Sequence, residues 1–474
     1  MEDLQIKTTE GQKKTLPKTI IKELKAKIRG SILFRSDAGY DKTRMVWNGM
    51  INRKPALIVR CRGVADVLNT IEFARSNNLL VAVRGGDHSI AGHSVCEDGL
   101  MIDLSLMRSI RVNPVKQTAR AESGARWRDF DYETQAFGLA TTGGTDSDTG
   151  IAGLTLGGGL GWLAGKYGLT CDNLLSADII TADGHYLTAS EEKNEDLFWG
   201  LRGGSGNFGI VTSFDYRLHT VGTMLGGMVI HPFEKAKETL KFYRDFSENI
   251  PDEVNTMGIL LTNPEGVRVV AIAVCYNGSL KEGEKVLRSL RKFGPPVADE
   301  IRPISYIQMQ SMSKDLFPRG RQYYWKASLM NHLSDGAIDT IIRYFSTAPS
   351  PYTVLGFQQL GNAANRIDSD ATAFSHREAI YDFLMLSGWE PPSKAEPNIQ
   401  WTRNLYDEML SYLHGGIYVN AFTDDDAKHG IRTAYNHKTY ERLLNLKNKY
   451  DPTNFFRLNP NIKPTVEVTK GHRL

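Results

Sequence analysis

The period of the apolar positions changes along the chain, and the changes mark out its elements. Between about Pro55 and Thr220 short strands, turns and helices alternate. Val64, Val67, Leu68, Ile71 and Ala74 recur at helical spacing and Asn77-Asn78 follow, which predicts one amphipathic helix and its stop. Leu80 to Val83 then reads as a buried strand running into Arg84-Gly85-Gly86-Asp87-His88. Beyond Thr220 the runs lengthen: Leu225 to Ile230, Val254 to Leu261, Val267 to Cys275 and Tyr352 to Leu360 read as strands. Amphipathic helices, Glu234 to Phe246 and Leu280 to Phe293, separate them. Asn436 to Lys449 predicts a last helix with Leu443, Leu444 and Leu446 on its apolar side, stopped at Asp451-Pro452. The expected division is therefore a first domain over 1–220, an α+β domain with a platform sheet over 221–420, and a segment over 421–474 that returns to the first domain. Thr465 to Leu474 is polar and expected to be loose.

Composition narrows the function. A chain of 474 residues, 41% hydrophobic and 23% charged, is long enough for two packed domains. Its net charge of +3 is spread without a basic block, so nucleic acid is not an expected partner. No apolar run reaches the ~20 residues of a membrane span, and Met1 to Thr15 is polar, so a cytoplasmic location is the default expectation. Cys61, Cys96, Cys171 and Cys275 are too scattered for a zinc site or a disulfide framework. Three of them read as small buried hydrophobes, whereas Cys171 sits in a Gly-rich aromatic stretch where a filler has little core to fill.

Glycine concentrates at Gly143, Gly144, Gly150, Gly153, Gly157, Gly158, Gly159, Gly161, Gly165 and Gly168, interleaved with apolar and aromatic residues. That pattern predicts an ordered, close approach to a large flat ligand rather than a linker. The glycines before His88, at a strand exit, suit a cradle for phosphate oxygens. Gly204-Ser-Gly206-Asn-Phe-Gly209 fits the dinucleotide fingerprint, but the strand-like Ile210-Val-Thr-Ser-Phe after it offers no helix N-terminus. Gly159-Leu-Gly161-Trp-Leu-Ala164 fails likewise, because Gly165 and Gly168 oppose a helix. His88 and His93 lie five apart with no cluster of carboxylates or thiols nearby to complete a metal site, and none is expected.

The run Val83-Arg84-Gly85-Gly86-Asp87-His88-Ser89-Ile-Ala-Gly-His93, the segments Thr142-Gly-Gly-Thr145 and Gly157 to Asn173, Gly206-Asn-Phe-Gly209-Ile-Val211, and Tyr450 to Asn461 with Asn459 resemble the berberine bridge enzyme group of the vanillyl-alcohol-oxidase-type flavoproteins. The resemblance spans nearly the whole chain. It implies the two-domain PCMH-type FAD-binding fold, FAD as cofactor, and two covalent bonds to it, from His88 to the 8α-methyl carbon and from Cys171 to ring carbon C6. The attacking thiolate is expected to be favoured by Lys166 or by the ring itself. Asp87 departs from the family's third glycine, and its carboxylate either turns outward or hydrogen-bonds within the loop. Tyr418, of Tyr418-Val-Asn420, matches the family's Tyr-x-Asn motif and is implied to be the base, for which its pKa of ~10 has to fall. By alternation one of Gln358 and Gln359 faces the cleft, with Gln358 preferred as the polar substrate contact. His376, in Ser375-His-Arg377, is expected to be structural. The implied activity is hydride removal from an alcohol, sugar or secondary-metabolite carbon with dioxygen as acceptor, by a monomer or homodimer. The alternatives are oxidation at a C–N bond, or flavin binding without turnover.

Overall fold

The computed structural model describes residues 3–390, 395–423, 425–426 and 430–465. The 64–74 pattern forms the helix Val64–Ser76, which buries Val67, Thr70, Ile71 and Ala74. The strand after it, Val81–Arg84, lies at the edge of a four-stranded sheet beside Leu100–Asp103, Leu57–Arg60 and Ser31–Leu33. Leu100–Asp103 pairs in parallel with both of its neighbours, and parallel strands need cover on both faces. Val67 and Ile71 join a core that also takes Ile180 and Ile210 from a second sheet and Phe455 and Phe456 from the C-terminal segment. The second sheet is antiparallel, in the order Tyr186–Ser190, Leu174–Thr181, Gly209–Arg217, Thr118–Glu122 and Ile110–Asn113. The Gly209 segment is thus a strand, as its alternation predicts, and the dinucleotide fingerprint there is fortuitous.

After Thr220 the chain builds a third, antiparallel sheet. Its order runs from Ala298–Asp299 through Met224–Pro232, Arg268–Tyr276, Val254–Thr262, Val354–Gln359 and Tyr381–Trp389 to Gln322–Met330. One face packs on the helices Ala236–Ser247, Asp335–Phe345 and Ala395–Met409, through Leu240, Tyr243, Ile338, Ile341 and Leu405. Phe357 and Phe383 stack on that face at 4.5 Å. The opposite face meets the glycine-rich segment: Trp162 and Leu163 pack with Ile259, Ala271 and Ala273. The single helix expected from Leu280 to Phe293 is two, Leu280–Val286 and Arg288–Lys292. Leu287 between them takes φ −83°, ψ 0°, a turn that buries both Leu287 and Leu290.

The final helix, His437–Tyr450, packs Leu443, Leu444 and Leu446 against Leu197, Phe198 and Phe208. Lys447 is fully buried on it, and its ammonium donates to the carbonyls of Asn207 and Phe456 (both 2.9 Å) and pairs with the Asp451 carboxylate at 2.7 Å. Asp451 in turn accepts from the Phe455 and Phe456 amides. A buried charge pair is tolerated only with such full satisfaction, so this knot fixes where the terminal segment runs. Thr465 donates its amide to Asn448, and residues 466–474 of the stretch expected to be loose lie outside the described residues. Among the described residues no helix is long and apolar enough to cross a membrane.

Candidate functional site

Where the three sheets converge they leave a cavity of about 410 Å³, within the range of ligand sites. The His88 loop forms one wall with Gly85, Gly86, Asp87, His88, Ser89 and His93, and Gly150 and Gly153 stand beside it. A side chain on Gly86 would lie 2.1 Å from the Gly150 Cα, and one on Gly150 would lie 2.4 Å from the Gly86 Cα. Backbone meets backbone there, and only glycine fits on either side. Gly209 and Val211 line the cavity from the second sheet, and Asn459 from the C-terminal segment.

The structure resolves what Asp87 does. Its side chain is fully buried at φ 56° and is held by three guanidinium groups: Arg84 of the same loop, Arg126 at 3.2 Å, and Arg319 at 2.7 Å from the segment before Gln322–Met330. Arg126 and Arg319 also share Asp148. Behind this network Trp47 stacks on His88 at 4.5 Å and on Tyr323 at 4.2 Å. Asn48 adds hydrogen bonds to Ile90 and Tyr323. The His88 loop is therefore clamped to the third sheet. Burial depresses the His88 pKa against the opposing pull of Asp146, Asp148 and Asp87, which favours the neutral, nucleophilic imidazole. Its Nε2 is buried with no hydrogen-bond partner among the described residues, and so is Asn459 Oδ1.

The third sheet supplies the facing wall. Gln358 pairs with Asp382 across neighbouring strands, and both line the cavity with Leu384, Leu386, Trp325 and Phe317. Gln359 points the other way and bonds Thr256 and the Ser247 carbonyl, so of the two glutamines it is Gln358 that lines the cavity. Asp382 was not singled out in the sequence. It is a lone carboxylate in an apolar strand, Tyr381-Asp-Phe-Leu-Met-Leu, which is the signal that points to it. Burial pushes its pKa up to about 7. Asp382 Oδ1 and Gln358 Nε2 both lack a hydrogen-bond partner among the described residues.

Tyr418 lines the same cavity. Its oxygen accepts from the Gly159 amide at 3.0 Å and from Asn420 Nδ2 at 2.7 Å, and Asn420 occupies the space a side chain on Gly157 would take. The expected fall in its pKa does not occur in the protein itself. Burial raises it, and the nearby Asp382 adds to the rise, outweighing those two donors. With both lone pairs taken, the phenol keeps its proton to donate.

Cys171 is placed differently from the expectation. It has a core to fill: it is fully buried among Leu160, Leu169, Ala327, Leu329, Phe374 and Tyr418, of which Leu160 and Tyr418 line the cavity and Cys171 does not. Burial and Asp172 push its thiol pKa up, and the opposing pull comes from Arg377 and Arg202, not from Lys166. Lys166 turns away to the Asn277 carbonyl and Glu253. Arg377 grips Asp172 with two bonds of 2.6 and 2.8 Å. Arg84, Gly143, Gly144, Gly157, Gly158 and Gly161 also stay off the cavity wall. Gly143 packs on Trp127 and Gln310, and Gly161 on the Gly143 carbonyl, so these glycines serve chain-to-chain packing. The buried Cys61, Cys96 and Cys275 have thiols that burial pushes up to unreactive values.

Residues 55–190 match the family model of the FAD binding domain, and 417–463 match that described as berberine and berberine like. An FAD-linked oxidoreductase of Dictyostelium discoideum is 32% identical over 451 residues, covering 94% of this chain and 97% of the relative. The (R)-6-hydroxynicotine oxidase of Paenarthrobacter nicotinovorans is 28% identical over 451 residues, 92% and 97% of the two chains. Among solved structures, 6-hydroxy-D-nicotine oxidase from Arthrobacter nicotinovorans superposes with a TM-score of 0.85 at 27% identity, over 92% of this chain and 98% of that one. BBE-like 1 of Physcomitrella patens gives 0.85 at 24% identity, over 94% and 99%. The fold is the PCMH-type FAD-binding fold with its antiparallel substrate sheet, and the unpartnered polar atoms and glycine contacts of the cavity suit FAD. On these grounds the chain belongs to the berberine-bridge-like family of FAD-linked oxidoreductases.

Proposed function

We propose that this oxidoreductase is an oxidase that removes hydride from the CH–OH carbon of a small, partly apolar substrate, with dioxygen as final acceptor. The observation that carries the reading is the pair of unpartnered polar atoms on the cavity wall, Asp382 Oδ1 and Gln358 Nε2, next to Tyr418. FAD, when bound, accepts the hydride and hands the electrons on. Asp382, poised near neutrality, takes the proton of the substrate hydroxyl on its carboxylate. Tyr418, its oxygen already satisfied by Gly159 and Asn420, donates its O–H to the substrate oxygen and fixes the orientation. Gln358 Nε2 adds a second donor, while Trp325, Leu384 and Leu386 exclude water and favour apolar substrate surface.

The same carboxylate would pair with a substrate ammonium, which favours oxidation at a C–N bond as the second reading; the nicotine-oxidising relative is consistent with it. Anaerobic mixing with alcohols, sugars and amines separates the two, since only the true donor class bleaches the flavin colour. Tyr418→Phe is expected to slow flavin reduction roughly 100-fold with the bound-flavin spectrum intact. A reduction rate within twofold of wild type would remove the phenol from the reaction.

FAD is read as attached to both His88 and Cys171. Support comes from the neutral imidazole on the wall with its buried Nε2, and from the packing of Cys171 in one cluster with Leu160 and Tyr418, which line the cavity. Acid-precipitated protein is expected to stay yellow, as are His88→Ala and Cys171→Ala singly, while the double variant releases its flavin into the supernatant. Colour lost from the wild-type pellet would end the covalent reading, and colour lost from one single variant would assign the only bond to that residue.

A further inference from the structure

Outside the cavity, His376, Glu378 and His414 bring three ligand atoms within 4.8 Å of one another. Glu378 Oε1 lies 2.9 Å from His414 Nε2 and 3.8 Å from His376 Nδ1, and the two rings stand at 88°. Two donors on one tetrahedral zinc ion, each at about 2.0–2.2 Å, are about 3.4 Å apart, so these separations bracket what one ion requires. We propose that His376, Glu378 and His414 form a divalent transition-metal site, for Zn²⁺ or an ion of similar ligand preference, that braces the segment leading to Tyr418.

The surroundings carry this beyond a chance contact. His414 Nδ1 faces the Asn331 side-chain amide at 3.1 Å, and a rotation of that amide presents its oxygen to an Nδ1–H. That tautomer frees the Nε2 lone pair for a metal, and a partner on the second ring nitrogen is what orients a ligating histidine. The His376 imidazole is seated against Gly416, where a Cβ would come within 3.0 Å of three ring atoms. Two imidazoles and one carboxylate with further positions open to water suit Zn²⁺, Co²⁺ or Ni²⁺ and not the all-oxygen Mg²⁺ or Ca²⁺ sites.

An ion here would join two strips of chain that serve the cavity. His414 donates its amide to the Leu329 carbonyl, the Gly416 carbonyl accepts from the Leu329 amide and the Ser328 hydroxyl, and Tyr418 follows two residues on. His376 and Glu378 flank Arg377, the residue that grips Asp172 beside Cys171. Holoenzyme stripped with a chelator and titrated calorimetrically with Zn²⁺ near neutral pH is expected to bind one ion per chain in the micromolar range. Glu378→Gln and His414→Ala, both at partly exposed positions, are each expected to weaken binding at least tenfold. Saturating Zn²⁺ is expected to raise the Tm of the wild type by a few degrees and to leave both variants unmoved. Mg²⁺ in place of Zn²⁺ is expected to give no heat. Absence of Zn²⁺ binding, or equal affinity in the variants, would overturn the site. Binding with no Tm shift in the wild type would overturn the bracing role.

Discussion

Replacing Asp87 with asparagine is expected to destabilise the holoenzyme by about 3–5 kcal/mol, the cost of leaving one partner of a buried ion pair behind. Asp87 is completely enclosed, and Arg84, itself nearly so, has Nε and Nη1 without hydrogen-bond partners among the described residues, where Asp87 holds its one short ion pair. Removing the charge leaves the Arg84 guanidinium enclosed with only a distant contact of 3.9 Å to Asp103. Arg126 and Arg319 keep Asp148 and suffer less. Asparagine tolerates the positive φ of this position, so the backbone adds little to the loss. In a thermal melt the midpoint should fall by about 5–10 °C. Because the pair is buried, added salt should not close the gap. Arg319→Ala, which removes a partner that is 38% exposed, should cost no more than about 1 kcal/mol. A melt for Asp87→Asn within a degree of wild type would mean that the arginines do not depend on that carboxylate.

These contrasts show which parts of the molecule can be read from order alone. The helix over Val64–Ser76, the strand into the His88 loop and the opposite facing of Gln358 and Gln359 depend on local periodicity, and the sequence carries that directly. The Asp87 network is not of that kind. Arg319 is 232 residues away, and Arg377 is 205 residues from Asp172, so neither pairing leaves a mark on its own neighbourhood. Trp47, stacked between His88 and Tyr323, joins three distant stretches and offers no periodicity to notice. Glycine is ambiguous for a related reason. It marks a close approach without saying what approaches, so Gly86 and Gly150, which border the cavity, look the same in sequence as Gly143 and Gly161, which pack on protein. Cys171 was legible as unusual, but its surroundings, set by Leu329, Leu360 and Phe374, were not. Ionisation is the least legible property, because burial decides it: the Tyr418 phenol moves up where its motif suggested down.

Asp382 concentrates that lesson, and its substitution is the sharpest test of the proposed chemistry. Oδ1 is buried, no donor among the described residues satisfies it, and burial alone brings the carboxyl to about 7. A base must be ionised to act, so flavin reduction by substrate should rise with pH through about 7 and level off above it. The sign for stability is opposite. A carboxyl whose folded pKa lies above its unfolded value favours the fold while protonated, and that contribution is lost as pH climbs toward about 7. Activity should therefore increase over the same interval in which this residue's contribution to stability declines, a divergence that an unfolding artefact cannot mimic. In Asp382→Asn the amide keeps the shape and removes the proton acceptor. Stopped-flow reduction should slow by about 10²–10⁴-fold and lose its dependence near pH 7, with the bound-flavin spectrum unchanged. Tyr418→Phe, by contrast, should lower the rate and keep the pH profile, because the phenol donates and does not titrate in that range. If Asp382→Asn retains both the wild-type rate and the rise through neutrality, the proton goes elsewhere, and the base has to be sought among the substrate's own groups or in the cofactor.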